Sequence, residues 1–241
     1  MHRTLEVALE GGIATITLNR PEARNAVNLA MCEELLDAAR SIAADATVRV
    51  VFVRGAGPVF CAGADLKERT GKTKEWIRER RVKAFAAYQA LEALPMPVIA
   101  VVHGPALGAA IEISSVCDFI VATPDATFGT PEAIRGTVGA TQRLPRVIGK
   151  RLAKDLMFTG RRLSAAEAVA AGFVSRIYQQ NDLEKAIEEI AKSILAAPPM
   201  AIRLAKRCID RGVELDPQGA LAVELEAIDE QLASGSWLGK Q

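Results

Sequence analysis

Apolar residues along the first half of the chain fall into short runs with two different periods. Residues 5–10 and 13–19 are short β-rich runs either side of Gly11-Gly12, a pair that signals a tight hairpin. Asn19-Arg-Pro-Glu-Ala-Arg-Asn-Ala breaks that pattern. Asn28 then stands where a helix cap is needed, and Cys32, Leu35, Leu36, Ala39 and Ile42 follow at helical spacing. Residues 48–54, 98–102 and 119–122 are nearly continuous apolar runs, as expected of strands buried on both faces. Asp65, with Glu68 three residues on, has the pattern of a capping box opening a helix. Residues 70–81 are highly charged and weakly patterned, which predicts an exposed, mobile stretch. Helical periodicity resumes over 82–94 and stops before Pro95-Met-Pro97.

From about Leu183 the chain carries helices alone. Leu183, Ile187, Ile190 and Ile194 make one apolar face, ended by Pro198-Pro199. Asp216-Pro217 opens a further helix bearing Leu221, Leu225, Ile228 and Leu232, the proline being tolerated in its first turn. The α/β core before this tail looks self-sufficient, so the tail is expected to pack on another subunit. The chain therefore divides into an α/β core over 1–182 and a helical region over 183–241.

The 241 residues are half apolar, enough for a substantial core. Thirty basic residues against 29 acidic ones leave a net charge of +1, which gives no bulk attraction to nucleic acid or anionic membrane. The basic segments 72–83 and 143–154 fit solvated helix faces better than an RNA surface. Cys32, Cys61, Cys117 and Cys208 are widely spaced, and with only His2 and His103 they offer no metal set. Free thiols point to a reducing compartment. The start, Met1-His-Arg-Thr-Leu-Glu-Val, lacks a signal-peptide core, and no run approaches the ~18 apolar residues of a membrane span. A cytoplasmic protein is expected. No dinucleotide fingerprint or P-loop is present.

Candidate chemistry gathers in three segments. Glu112 closes His103-Gly-Pro-Ala-Leu-Gly-Ala-Ala-Ile-Glu112, and Glu132 closes Phe128-Gly-Thr-Pro-Glu132. Two carboxyl groups brought together can hand protons to a substrate and take them away. A helix starting near Gly108-Ala109 would leave the Ala109 N–H without an intrahelical partner and suited to an anionic oxygen. Ala62-Gly63-Ala64 lets a reacting carbonyl approach the backbone in the same way. Taken singly, each element has a plainer reading. Gly-Ala runs before helices usually serve close packing, and first-turn glutamates usually complement the helix dipole.

Six segments in order give the chain a resemblance to the crotonase, or enoyl-CoA hydratase/isomerase, superfamily. They are Asn19-Arg-Pro-Glu-Ala-Arg-Asn-Ala, Phe60-Cys-Ala-Gly-Ala-Asp-Leu-Lys, Gly104-Pro-Ala-Leu-Gly-Ala-Ala-Ile-Glu, Phe128-Gly-Thr-Pro-Glu132, Thr141-Gln-Arg-Leu-Pro-Arg, and Phe158-Thr-Gly-Arg-Arg-Leu-Ser-Ala-Ala-Glu-Ala with Gly172-Phe-Val. The resemblance implies an α/β fold: a right-handed crotonase-like ββα spiral with a C-terminal helical oligomerisation region, assembling as homotrimers or hexamers. It implies an acyl-CoA thioester substrate, with coenzyme A part of that substrate and no separate cofactor or metal. The oxyanion hole would be the N–H of Ala64 and of Ala109. Coenzyme A would bind around Arg24, Ala62, Gly63, Asp65, Leu66, Lys67 and Gly108. Glu112 and Glu132 match the two glutamates of the hydratases, which favours hydration over Δ3/Δ2 isomerisation. The run from Phe60 to Arg69 also resembles members that hydrate methylglutaconyl-CoA, some of which bind RNA. Two departures stand out. The link Gly136-Thr-Val-Gly-Ala-Thr141 lacks the family's usual Pro-Gly-x-Gly-Gly loop, which bears on how water is placed at Glu132. The sequence ends at Trp237-Leu-Gly-Lys-Gln241, where relatives usually continue into another helix.

Overall fold

Gly11 and Gly12 adopt the positive φ values, 57° and 85°, that a two-residue hairpin turn demands. They join strand β1 (Leu5–Glu10) to β2 (Ile13–Leu18) in antiparallel register. The computed structural model describes residues 4–235, so the readings made on Met1-His-Arg and on Trp237-Leu-Gly-Lys-Gln241 lie outside the described residues. Asn28 caps α1 (Leu29–Ala44), its side chain accepting from the Met31 N–H at 2.9 Å, an interaction typically worth about 1 kcal/mol. The chain continues through β3 (Val50–Gly55), α2 (Lys74–Glu92), β4 (Val98–Val102), β5 (Pro105–Leu107) and α3 (Ala109–Ser115). Next come β6 (Phe119–Ala122), β7 (Thr127–Gly129), α4 (Arg143–Ile148), α5 (Lys150–Thr159), β8 (Arg162–Ser164), α6 (Ala165–Ala170) and β9 (Arg176–Ile177). The last described helices are α7 (Leu183–Ala196), α8 (Pro199–Gly212) and α9 (Pro217–Ala233).

The strands form two sheets. The larger has the order β1-β2-β3-β4-β6-β9 and is parallel from β2 onward; the smaller has the order β5-β7-β8. After β4 the chain enters the small sheet as β5 and then turns into α3. After β6 it enters the small sheet again as β7. An earlier turn follows the same course, since Cys61, after β3, bridges to Ala106 of β5. Each turn is thus a strand, a second strand and a helix, a ββα spiral.

Alternation along the large sheet accounts for its apolar runs. Val51, Val53, Ala100 and Val102 face the main core, which includes Leu35 of α1 and Leu91 of α2. Val50, Phe52, Ile99, Val101 and Val121 face the opposite way and are covered by Leu183, Ile190 and Ala191 of α7. The first tail helix therefore packs back on its own sheet, contrary to the expectation that the tail would seek another subunit. The later part of the tail differs. Leu221, Leu225, Ile228 and Leu232 of α9 are 57%, 52%, 42% and 50% exposed.

Two further expectations are corrected. Residues 70–81 are not an irregular stretch: α2 begins at Lys74, with the Thr73 side chain accepting from the Trp76 N–H at 3.2 Å. The helical pattern is hidden in the sequence because a face that would ordinarily carry an apolar residue carries Arg80, only 3% exposed. Asp65 and Glu68 do not form a capping box. Asp65 Oδ1 accepts from the Lys67 N–H at 3.0 Å and starts only the short 3-10 turn Lys67–Arg69. Glu68 turns away, accepting from the Leu29 N–H at 2.8 Å and from Arg80 Nε at 3.1 Å. A buried guanidinium competes for that carboxylate, and a charge-assisted bond prevails over a cap.

Candidate active site

Parallel pairing of β5 with β7 brings the carboxyl ends of both strands to one edge, where ligands of open α/β sheets usually bind. Gly108 and α3 follow β5; Thr130-Pro131-Glu132 follows β7. The turn after Cys61 joins this edge through Cys61 N–H to Pro105 O at 3.2 Å and Leu107 N–H to Cys61 O at 3.0 Å. All three segments identified in the sequence therefore converge. Between them lies a cleft of about 170 Å³.

Ala62, Gly63, Ala64, Leu66, Gly108, Ala109, Glu112 and Glu132 line that cleft. Arg24, Asp65 and Lys67 lie outside its wall. Arg24 adopts a left-handed conformation, φ 53°, and its carbonyl accepts from the Ala62 N–H at 2.9 Å. Partial burial opposes ionisation of Asp65, but its bond from Arg20 Nη1 at 3.0 Å and its backbone N–H donors outweigh that and lower its pKa.

Val27 holds the first small-residue turn from both sides. Its N–H donates to Gly63 O and its carbonyl accepts from the Asp65 N–H, each at 2.8 Å. Arg80, anchored by Glu68, also donates to the Val27 carbonyl. Among the described residues neither the Ala64 N–H nor the Ala109 N–H has a protein acceptor. Gly63, at φ 99°, makes the close approach possible: a Cβ built there would lie 2.8 Å from Leu107 O and 3.6 Å from Ala109 N. The two donor turns touch through a glycine.

Glu112 is 7% exposed on the first turn of α3, with Oε2 3.3 Å from Arg143 Nη1. Arg143 is shared with Glu92 at 2.7 Å. Glu132 is different. Its Oε2 is buried with no hydrogen-bond partner. Its Oε1 lies 2.7 Å from the point where a Gly108 Cβ would stand, and its Cγ lies 3.0 Å from the corresponding point at Gly139. Burial pushes the Glu132 carboxyl above its ordinary value of 4.5, and Glu112 adds to the shift. The departure at residues 136–141 thus has a structural meaning. Thr137 N–H donates to Glu132 O at 2.9 Å, and Gly139 passes directly under the Glu132 side chain. Arg81 fastens this segment through Thr137 Oγ1 at 2.6 Å and Val138 O at 2.5 Å.

α2 supplies the remaining wall. Arg80, Arg81, Ala84, Phe85 and Tyr88 recur three and four residues apart and line the cleft together. Phe85 and Tyr88 meet edge to face at 6.4 Å. Helical spacing from Ala84 onward is visible in the sequence, but nothing there marks Arg80 and Arg81 as cleft residues. Arg143, assigned from the sequence to a solvated face, reaches Glu112. Cys61 is buried, and desolvation pushes its thiol up to about 12, so it is packing rather than a nucleophile.

The burial of Glu132 has a consequence for stability. Its folded-state pKa lies above its unfolded value, so the folded state gains on the unfolded one where the group is protonated. That gain is full below pH 4.5 and is lost as pH rises through the folded value. Glu132→Gln is therefore expected to raise the Tm at pH 7, with the difference from the wild type shrinking as the pH falls below 4.5. Thermal unfolding at pH values from about 3.5 to about 7.5 checks this; an unchanged or lowered Tm at neutral pH would contradict it.

Comparison with known proteins gives one answer. The family described as enoyl-CoA hydratase/isomerase matches residues 8–236. The mitochondrial enoyl-CoA hydratase domain-containing protein 2 of Bos taurus is 43% identical over 226 residues, covering 88% of this chain and 75% of that protein. The solved enoyl-CoA hydratase of Bacillus anthracis superposes with a TM-score of 0.91 at 39% identity, covering 94% of this chain and 90% of the other. A Thermobifida fusca protein solved in complex with acetoacetyl-CoA superposes with a TM-score of 0.89 at 27% identity, covering 96% and 95%.

Proposed function

Starting from the fact that the chain belongs to the enoyl-CoA hydratase/isomerase family, we propose that it adds water reversibly across the C2=C3 bond of 2-enoyl-CoA thioesters. The observation that carries this reading is the pair of unlike carboxyls facing one cleft, beside two backbone N–H groups without acceptors. The thioester oxygen accepts from the Ala64 and Ala109 N–H groups, so charge moving onto it in the transition state is met by fixed dipoles. Glu112, bonded to Arg143, is the carboxylate that takes a proton from water as the water oxygen bonds to C3. The π electrons pass to the thioester as an enolate. Glu132, whose burial favours the protonated form, delivers a proton to C2. The two glutamates then exchange protons with solvent to restore the starting state. Isomerisation needs only one carboxylate and leaves the second unexplained.

Ala62, Gly63, Leu66 and Gly108 flank the thioester in this reading, and Arg24, Asp65 and Lys67, outside the cleft wall, border the path of the coenzyme. The exposed stripe on α9 supports assembly as a trimer or a pair of trimers. No helix among the described residues is long and apolar enough to cross a membrane, and four free thiols fit a reducing compartment such as the cytoplasm. Following the loss of enoyl-thioester absorbance with crotonyl-CoA tests the activity. Steady loss with formation of 3-hydroxybutyryl-CoA is expected, and no loss at any enzyme concentration would refute it.

A further inference from the structure

We propose that Glu92, outside the cleft, is a positioning residue that keeps Glu112 available as the base. It occupies the fork of Arg143, so that this arginine reaches Glu112 through one nitrogen and one oxygen. The proposal rests on the hydratase reading of the site. Glu92 is the last residue of α2 and Arg143 the first of α4, and neither lines the cleft. Arg143 Nη2 donates to Glu92 Oε2 at 2.7 Å and Arg143 Nε to Glu92 Oε1 at 3.3 Å, a side-on pair that engages both carboxylate oxygens. What is left for Glu112 is a single bond, from Arg143 Nη1 to Oε2 at 3.3 Å, which leaves Oε1 free of the arginine.

Two carboxylates thus share one cation, and they share it unequally. The hydrogen bond to Glu92 is the main reason Arg143 holds its proton more tightly than an ordinary arginine; burial opposes it, and Glu112 contributes less. Placement along the helices points the same way. Helix N-termini favour anions and C-termini favour cations, yet Glu92 and Arg143 each stand at the end their charge suits least. A half-exposed carboxylate such as Glu92 adds little stability as one member of an ion pair. Its position is better explained by what it does to Arg143.

Without Glu92, Arg143 would meet Glu112 as a lone partner, and a guanidinium offered one carboxylate takes both oxygens side-on. Water would then lose its place on Glu112 Oε1, and the carboxylate would be held too firmly in its ionised form to act well as a base. Other titratable groups lie within electrostatic reach. Glu132, itself acted on by Arg81 and Arg135, and Tyr88 of α2, kept neutral by burial, act on or feel Glu112. Asp210 of α8 feels Glu92 and Lys206, and Lys206 is paired with Asp118 at 2.9 Å. None of these offers Glu112 or Glu92 a substitute for the Arg143 fork.

Glu92→Ala places the best helix former at this position, so the fold should be undisturbed. With crotonyl-CoA the full-length variant is expected to lose about tenfold in kcat with KM little changed. The fall in its rate on the acid side of the pH profile should move to lower pH, and Arg143→Gln should move that fall to higher pH. With Arg143→Gln already present, adding Glu92→Ala should cost less than about twofold in kcat. A kcat loss with the pH profile unmoved would overturn the proposal, as would a loss undiminished in the Arg143→Gln background. If the wild type hydrates no enoyl thioester, it is the hydratase reading that fails. Crystal structures of the wild type and Glu92→Ala then decide the positioning alone: Arg143 bonded to both Glu112 oxygens in the variant upholds it, and an unchanged single bond overturns it.

Discussion

Replacing Glu112 by Gln is expected to lower kcat for hydration of crotonyl-CoA by about a thousandfold, within the range for loss of a general base. Glu132→Gln is expected to cost a similar factor by removing the proton donor to C2. Carboxamides keep the size of both side chains, so KM should move little, and the loss should appear in kcat. Because the proposed mechanism uses the two groups in concert, the double variant should fall well short of the product of the single losses. Arg143 would remain beside the carboxamide that replaces Glu112, and Gly108 and Gly139 would still cradle the one that replaces Glu132, so the architecture of the cleft should survive. Steady-state kinetics of the three variants measures this. Activity persisting near wild-type levels in both single variants would remove the roles assigned to the pair.

A second large loss is expected from Gly63→Ala, at a residue with no chemistry of its own. The new methyl would lie 2.8 Å from the Leu107 carbonyl oxygen, a backbone atom that cannot swing aside, and the φ of 99° is one that L residues rarely adopt. Relief would require the two turns bearing Ala64 and Ala109 to separate. The thioester oxygen could then reach one donor well but not both. Loss of one such donor commonly costs about 10²–10³ in kcat, and the backbone conformation adds roughly 1–3 kcal/mol of destabilisation. Gly71→Ala is the control. Gly71 also has positive φ, 74°, but a Cβ there would meet nothing within 4 Å. It should therefore show the conformational cost without the loss in kcat. If both variants lose kcat equally, the effect of Gly63 is general destabilisation and the donor geometry is not at issue.

Much of this site is legible in the chain because its parts are local. A glycine or alanine beside a reacting carbonyl, and a glutamate one turn into a helix, are visible as short runs such as Gly108-Ala109 and Glu112. The hairpin at Gly11-Gly12 and the cap at Asn28 are equally local. What the sequence hides depends on partners far along the chain. Arg80 belongs to a buried helix face only because Glu68 and the Val27 carbonyl receive it, and without them the charged run 70–81 looks unstructured. Arg143 looks like a surface cation until α4 sets it beside Glu112 and Glu92. The same reason explains why Glu68 leaves the expected cap, and why α7, whose apolar face gives no hint of its partner, closes over Phe52 and Ile99 of its own sheet. Arg24, Asp65 and Lys67 are expected from the resemblance to lie near the coenzyme. Asp65 is engaged by Arg20 and by the Lys67 N–H, and all three lie outside the cleft wall.

The difference between Glu112 and Glu132 cannot be read from composition or spacing. Both are glutamates after small-residue turns. Only the folded chain gives one of them an arginine and leaves the other buried without a hydrogen-bond partner at Oε2. In the proposed mechanism that asymmetry assigns one group as proton acceptor and the other as proton donor, and favours hydration, which would use both, over a proton shuttle that needs one.

The most direct test is proton NMR of the product formed from crotonyl-CoA in deuterated water. The account requires 3-hydroxybutyryl-CoA with the hydroxyl at C3 and a single deuteron newly placed at C2. Deuterium entering the acyl chain, or movement of the double bond, with no hydroxyl at C3 would contradict it.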